Sequence, residues 1–319
     1  MSRFQRIRIL SFGLLATCAW TTAEAIEIAR TAPGVVALEW NGAPAQAIRS
    51  AKGGSIEGVV EERPEGSSVD KRISGVRYGS LDLQVGAGLD RKFYEWINAS
   101  WMGKPEPANG AVLVCSSMGG CSRKSFTAAI LSEVTVPTLD GASKERCYLG
   151  VSLQPGLVKV PMSVNAPPPK IEQSVWLTSN FRLAIDGLDC TGVRKVESFT
   201  VKQGVKGASA EFPDLEISLG SKGYETWRQW FEGFVVKATD NVERNGEITF
   251  YATDLQTVLG KIRLIHLGIT SLDLVPGASA TASSTAVPGA ETIATLKAKL
   301  YCERMELSWG AGPPPVSLK

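Results

Sequence analysis

An internal repeat constrains this sequence more than any other feature. A segment of alternating apolar residues, an aromatic cluster, an Asn-Gly pair and a closing strand-like segment occur in each half, in the same order. A chain that carries one pattern twice is expected to fold into two similar units. The matched segments are 81–86 with 215–220, Phe93/Trp96/Ile97 with Trp227/Trp230/Phe231, Asn109-Gly110 with Asn245-Gly246, Val134-Thr135 with Ile269-Thr270, Leu149/Val151/Leu153 with Leu296/Ala298/Leu300, and 38–42 with 183–187.

Each copy predicts a strand followed by a helix. Apolar and polar residues alternate in 81–85 and in 215–219, which predicts strands with one buried face. Large aromatic residues follow at helical spacing, so their rings share one helix face. We expect this face to pack on a sheet, with a ligand-stacking platform as the alternative. The residues on the two faces are Phe93, Trp96, Ile97 and Trp101 in the first copy and Trp227, Trp230, Phe231 and Phe234 in the second, and glycines at 86, 88, 220 and 223 separate strand from helix.

The fold class follows from the turns and from the strands that recur without helices between them. Asn109-Gly110 and Asn245-Gly246 precede alternating apolar runs and predict tight hairpin turns, hence antiparallel pairing. The sequence predicts a mainly β protein with two tandem antiparallel β-sandwich or barrel domains, each with one packed amphipathic helix. Two unrelated β domains that share only generic alternation are the alternative.

The domain boundaries are predicted from composition. We expect a signal peptide at 1–25, a first domain at 26–162, a Pro-rich linker at 163–175, a second domain at 176–310 and a Pro-rich tail at 311–319. The second copy is longer than the first, and its extra residues fall in the Ser/Ala/Thr/Gly-rich segment 276–291, which predicts a surface loop.

The N-terminus has the three parts of an export signal. Arg3, Arg6 and Arg8 precede an apolar stretch, and Ala23-Glu24-Ala25 is typical of a cleavage site. A buried strand or a misassigned start is the alternative. With a true signal the protein is expected to be exported, to the periplasm or the extracellular space; without one it is expected in the cytoplasm or in a virion or tail-like particle.

The charge balance argues against nucleic acid as a partner. The whole chain has 34 Lys+Arg and 32 Asp+Glu. Loss of residues 1–25 would remove three basic residues and one acidic residue, which leaves equal numbers. Phosphate recognition needs a basic surface, and this chain has no excess charge to supply one. No apolar run is long enough to predict a transmembrane segment.

The sequence offers little for catalysis or for a bound cofactor. Its one histidine, His266, lies in an alternating apolar segment that predicts a strand residue, so a metal site with two imidazoles is excluded. No phosphate-binding glycine motif is present. Asp82 and Glu216 occupy equivalent strand positions that are expected to face solvent. We predict no enzyme, with no catalytic, cofactor-binding or metal residues and no cofactor; a hydrolase with buried carboxylates is a weaker alternative.

The cysteines leave two states open. Five remain beyond the predicted signal: Cys115, Cys121, Cys147, Cys190 and Cys302. Cys115 and Cys121 flank a short loop and are close enough in sequence to pair in an oxidising compartment. Burial as small apolar side chains is the alternative.

A resemblance to a known family is carried by both halves. Segment 53–101 resembles the tail tube proteins of contractile phages and related injection systems, through Lys71, Gly75, Tyr78, Leu81, Leu83, Gly86 and the run Tyr94-Glu95-Trp96-Ile97. Segments 180–203, 212–220 and 224–231 are similar to a second copy, and 35–42 and 181–187 match the family's first strand. The resemblance covers residues 35–308.

The resemblance implies a structural function. Domains of this family are twisted antiparallel sandwiches or barrels that assemble into six-membered rings around a hollow tube. A two-copy chain would self-associate so that three molecules supply a pseudo-hexameric ring, or would bind related tube proteins. The alternative is an exported β-sandwich module that binds a glycan or a cell-envelope ligand, for which exposed aromatics such as Trp176 or Trp309 are expected.

Overall fold

The first half of the chain forms an antiparallel sheet and a separate hairpin. The computed structural model describes residues 34–65, 68–116, 120–165, 169, 175–204, 209–220, 222–238, 242–275 and 295–310. Predicted features at 1–25, 276–291 and 311–319, and most of the linker, lie outside these residues. The first-half elements are β1 (Val35–Trp40), β2 (Gln46–Ile48), β3 (Ser50–Gly53), β4 (Ile56–Glu65), β5 (Ser68–Tyr78), β6 (Leu81–Val85), α1 (Arg91–Trp101), β7 (Ala108–Cys115), β8 (Cys121–Val136), β9 (Leu139–Asp140), β10 (Leu149–Gln154), β11 (Leu157–Val158) and β12 (Met162–Val164).

The second half repeats this succession with fewer elements. They are β13 (Phe181–Ile185), β14 (Val193–Val196), β15 (Phe199–Lys202), β16 (Leu215–Leu219), α2 (Tyr224–Phe231), a π-helical turn (Glu232–Val236), β17 (Arg244–Tyr251), β18 (Val258–Val275) and β19 (Thr295–Trp309).

The strand order is the same in both halves. The first sheet runs β2-β1-β7-β8-β10-β6-β3, and the second runs β13-β17-β18-β19-β16-β14-β9. From β1 to β3 in the first sheet and from β13 to β14 in the second, each strand has a counterpart at the same place in the other sheet, and β9 is added at the end of the second sheet. Every pairing that builds these two series is antiparallel. The mainly β, antiparallel class predicted from the sequence is confirmed.

The pairing register also agrees between the halves. Leu83 of β6 lies opposite Val151 of β10, and Ile217 of β16 lies opposite Ala298 of β19, as the sequence matches predict. One match was wrong by three residues: Val134 was aligned with Ile269, but Val134 lies opposite Val151. Its counterpart is therefore Leu272, which lies opposite Ala298. Each long strand also has a bulge, near Ser132 in β8 and near Thr270 in β18, and the two bulges lie at corresponding positions.

The Asn-Gly pairs do not form the hairpin turns that the sequence predicted. Both lie inside strands, β7 and β17, next to a bulge. Asn109 Oδ1 accepts a hydrogen bond from the backbone N–H of Ala128 (3.0 Å), and Asn245 Oδ1 accepts one from that of His266 (3.2 Å). Ala128 and His266 have positive φ angles of 50° and 57°. The asparagine thus holds a strained bulge on the neighbouring strand, at the same place in each half.

The glycine of each Asn-Gly pair is required by close packing. A Cβ on Gly110 would lie 2.3 Å from the backbone oxygen of Glu39, and one on Gly246 would lie 2.8 Å from that of Ala184. These distances leave no room for a larger residue. The motif is therefore explained by a bulge and a close backbone approach, and not by a turn.

Both predicted helices are present and bury their aromatic faces. The carboxylate of Asp90 accepts a hydrogen bond from the backbone N–H of Lys92 and caps α1. Phe93, Trp96, Ile97 and Trp101 are all buried in α1; in α2 Trp227 and Trp230 are buried and Phe231 is partly buried. Phe234 follows in the π-helical turn. The interpretation of these rings as core residues is confirmed.

The cysteine question is answered for two residues. Cys115 and Cys121 lie opposite each other at the end of the β7–β8 hairpin and form a disulfide. Cys147, Cys190 and Cys302 are free thiols. Burial raises the pKa of the Cys190 and Cys302 thiols, so both are protonated at neutral pH and are poor nucleophiles.

The two halves share their sheets. Strand β15 of the second half pairs with β8, and β9 of the first half pairs with β14. Residues 163 and 164 were predicted as linker but lie in β12, which pairs with β8 because alternation continues past Pro161. The described residues belong to one compact unit, and the division into domains at 26–162 and 176–310 stays a prediction.

Candidate self-association surface

A strand pairing joins the two halves of the chain. In β8 and β15, Val136 lies opposite Phe199, Thr135 opposite Thr200, and Val134 opposite Val201. The Oγ1 atoms of Thr135 and Thr200 lie 2.8 Å apart. The valines and Phe199 are buried. The junction is thus an extension of one sheet edge by a strand of the other half, with an apolar face turned to the core.

A second contact fixes helix α1 between the halves. The ring of Tyr94 stacks on Trp309 of β19, with centroids 4.5 Å apart and planes inclined by 13°. Asn98 Oδ1 accepts a hydrogen bond from the backbone N–H of Leu307 (2.8 Å). Burial raises the pKa of Tyr94 above its usual range, so its hydroxyl stays neutral. The first helix is therefore part of the junction as well as of its own core.

The counterpart of the β8 edge in the second half is unpaired among the described residues. In β8, residues 130–135 pair with β10 on one side and residues 133–136 pair with β15 on the other. The corresponding residues of β18 pair with β19 on one side, whereas β17 pairs only as far as Leu267 on the other. We call residues 270–275 the open β18 edge. Unpaired strand edges are templates for pairing with another chain.

The counterpart of β15 in the first half is the start of β4. Lys202 forms an isolated antiparallel bridge with Glu211, and Glu57 lies opposite Arg77 at the matching position of the β4–β5 hairpin. In the second half, β15 fills the β8 edge. In the first half, β4 forms a long hairpin with β5, and in the described chain these two strands pair only with each other.

The long hairpin has one apolar face and one charged face. Ile56, Val60, Ile73 and Val76 share the first, and all four are exposed. On the second, Arg77 pairs with Glu57 (2.6 Å) and Arg72 with Glu61 (3.4 Å). The hydrogen bond from Arg77 lowers the pKa of Glu57 and keeps it ionised. A lone two-stranded hairpin with an exposed apolar face has little stability of its own in water, so this face is suited to a partner.

One cluster near the bulge of β18 carries groups that can ligate a metal. Glu243, His266 and Glu303 each place a ligand atom within 4.8 Å of the others. His266 Nδ1 lies 2.7 Å from Glu303 Oε2, and the Tyr301 hydroxyl donates a hydrogen bond to Glu243 Oε1 (2.6 Å). Burial and this contact raise the pKa of Tyr301 to about 12. Imidazole and carboxylates suit a divalent cation, but these side chains already satisfy one another and are largely exposed.

The residues that sequence reasoning placed in possible sites are distributed as follows. Asp82 and Glu216 are exposed on equivalent strands, as expected. Trp176 and Trp309, expected to be exposed in a binding module, are instead buried against Phe250, because the end of β19 packs under α1. Sequence reasoning missed the open β18 edge, which depends on pairings between distant segments. It also missed the β4–β5 hairpin, because the apolar residues of these strands do not alternate with polar ones.

Comparison with known proteins adds no relative. No protein-family model matches the sequence, and no curated protein is similar to it. Within the described ranges, none of the helices has the length and apolar character needed to cross a bilayer.

Proposed function

We propose that the protein is a non-enzymatic structural subunit that resembles a phage-type tail tube subunit and assembles with copies of itself into rings or tubes. The observation that carries this proposal is the junction between the halves, where β15 extends the edge of β8. Two units of the same strand order are joined there edge to edge. A third unit of that kind can be added in the same way at the open β18 edge.

The repetition supports a closed or helical arrangement. A contact between different surfaces of like units generates a ring when the rotation closes and a filament when it does not. With two units in each chain, a ring of six units needs three molecules, as the family resemblance implies. Internal duplication of one ancestral unit accounts for the shared strand order, register, bulges and asparagine contacts.

The alternative function, an exported binding module, has less support. It was expected to expose Trp176 or Trp309, and both are buried. An export signal at 1–25 remains a prediction that is compatible with either function, since an exported subunit can assemble outside the cell.

The proposal is tested with purified residues 26–319. Mass photometry across a concentration series, followed by negative-stain microscopy, should show trimers and annular particles or stacks of them. A strict monomer at concentrations up to tens of micromolar, with no annular particles, would contradict the proposal. Mass spectrometry of the native N-terminus would show separately whether the signal is used.

A further inference from the structure

We infer that the open β18 edge of one molecule binds the first residues of β4 in a second copy, in a defined antiparallel register. This inference rests on the proposed function and names the two segments that meet. It follows from applying the pairing between the halves of one chain to the contact between two chains.

The register is obtained residue by residue from the counterparts. Thr135 corresponds to Asp273 because Thr135 lies opposite Gly150 and Asp273 opposite Lys297, at matching places in β10 and β19. Val196 lies opposite Ile217, and Ala51 lies opposite Leu83, so Val196 and Ala51 correspond. Four residues further along each chain segment, Thr200 therefore corresponds to Ser55. The pair Thr135–Thr200 thus predicts a pair Asp273–Ser55 between molecules. Its neighbours are Leu272 with Ile56, Ser271 with Glu57, and Leu274 with Gly54.

The exposure of apolar residues agrees with this register. Val134, Val136 and Val201 are fully buried at the junction inside the chain. Of their three counterparts, Leu272 is already partly buried, whereas Leu274 and Ile56 are 66% and 42% exposed. A pairing of the same geometry would bury these side chains, which gives the contact an apolar contribution besides its backbone hydrogen bonds.

The charges permit the contact. Glu57 would lie opposite the neutral Ser271, and its carboxylate is already paired with Arg77. Ser55 would lie opposite Asp273; its hydroxyl donates to Glu57 Oε1 within the molecule (3.0 Å) and would turn to donate to the Asp273 carboxylate instead. No like charges lie directly opposite each other in this register, an arrangement that would destabilise it.

A second copy is the occupant that the structure favours. In the described chain, β4 pairs only with β5, and the edge that it would extend lies in the other half. The same kind of edge is already filled by the same kind of strand inside each molecule. The contact is head to tail, so every molecule donates β4 at one end and accepts it at the other.

The test uses variants of residues 26–319 that each carry one added cysteine and are mixed in equal amounts under mild oxidation. Ser55→Cys mixed with Asp273→Cys is the in-register pair. Ser55→Cys mixed with Arg263→Cys is the matched control, since Arg263 is also exposed on β18 but lies where β17 occupies the edge. Thr135→Cys/Thr200→Cys in one chain calibrates the reaction, and each variant alone reports the native thiols.

We expect covalent dimers from the in-register mixture at a rate at least tenfold above the control mixture. A second measurement avoids cysteine chemistry: Leu274→Glu should weaken association about tenfold, whereas Val160→Glu, equally exposed but away from the edge, should not. Annular particles with no excess of in-register dimers and no effect of Leu274→Glu would overturn the inference and leave the proposed function standing. A wild-type chain that stays monomeric would overturn both.

Discussion

The two halves of this protein share a fold but differ in what their long strands contact. In the first half the C-terminal part of β8 is paired on both sides, and its core-facing valines are buried. In the second half the same part of β18 is paired on one side only among the described residues. The strands that could fill these edges differ in the opposite way: β15 of the second half pairs with β8, whereas β4 of the first half pairs only with β5 in the described chain. The contact inside one molecule thereby provides the pattern for the contact that we propose between molecules.

The helices differ in the same way. Helix α1 is held between its own sheet and β19 of the other half, with Tyr94 stacked on Trp309. Helix α2 is shorter and continues into a π-helical turn whose Val235 and Val236 are exposed. Helix α1 therefore contacts both halves of the chain, whereas the turn that follows α2 leaves two valines exposed.

The largest expected effect tests whether the helix faces are equivalent. Phe93→Ala and Trp227→Ala each remove a fully buried ring from corresponding positions of α1 and α2. Each should lower the free energy of unfolding by about 3–5 kcal/mol, measured by urea denaturation. Val160→Ala, at an exposed site, should change it by less than about 0.5 kcal/mol. A large loss for one ring and none for the other would break the equivalence.

The next effect concerns the glycines of the Asn-Gly pairs. Gly110→Ala should cost about 3 kcal/mol, because the new methyl group would meet the backbone oxygen of Glu39. Gly246→Ala should cost less, since its nearest backbone atom is farther away. Gly75→Ala is the control, as a Cβ there meets nothing within 4 Å. Thermal and urea unfolding of the three variants measure the order; equal stability of all three would refute the close-approach explanation.

The closure of the two long hairpins differs between the halves and predicts a smaller effect. The β7–β8 hairpin is closed by the Cys115–Cys121 disulfide. Because this loop is short, Cys115→Ala/Cys121→Ala should lower the free energy of unfolding by about 2 kcal/mol. Cys190→Ala, which removes a free thiol, serves as the control. An unchanged urea midpoint in the double variant would show that the disulfide adds no stability to the first half.

The β17–β18 hairpin is closed without a disulfide and predicts the smallest effect, which depends on pH. The Asp254 carboxylate accepts hydrogen bonds from the Thr257 hydroxyl and from the backbone N–H groups of Gln256 and Thr257. The Thr257 hydroxyl is the main cause of the lowered pKa of Asp254. The stability that the ionised Asp254 carboxylate contributes to the folded state is therefore present at pH values above its usual pKa of 3.8. This stability is lost as the pH falls through the lowered pKa.

The measurement compares melting temperatures of the wild type and Asp254→Ala from pH 7 down to pH 3. At pH 7 the wild type should melt at a slightly higher temperature than Asp254→Ala, and this difference should shrink as the carboxylate is protonated. Gln256→Ala keeps its backbone donor and should follow the wild type at every pH. A difference that grows toward low pH would mean that Asp254 does not act through its charged form.

The sequence predicted those elements whose pattern is local. Alternation identified β6 and β16, and helical spacing identified α1 and α2, because burial on one face imposes these periods directly. The Asn-Gly pairs were misinterpreted since the residues with positive φ, Ala128 and His266, lie on another strand. The open β18 edge was not predictable at all, because whether an edge is filled depends on β15, which is distant in sequence.

Hydrogen exchange at the two corresponding edges tests the central claim most directly. Peptides that cover residues 132–136 and 270–274 are followed by mass spectrometry in dilute and in concentrated protein. The account predicts that the first exchanges slowly at both concentrations. It predicts that the amides of the second that do not bond to β19 exchange quickly in dilute protein and slowly in concentrated protein. Rapid exchange of 270–274 in concentrated protein, in which assembled particles are present, would show that copies do not join through the edge that joins the halves.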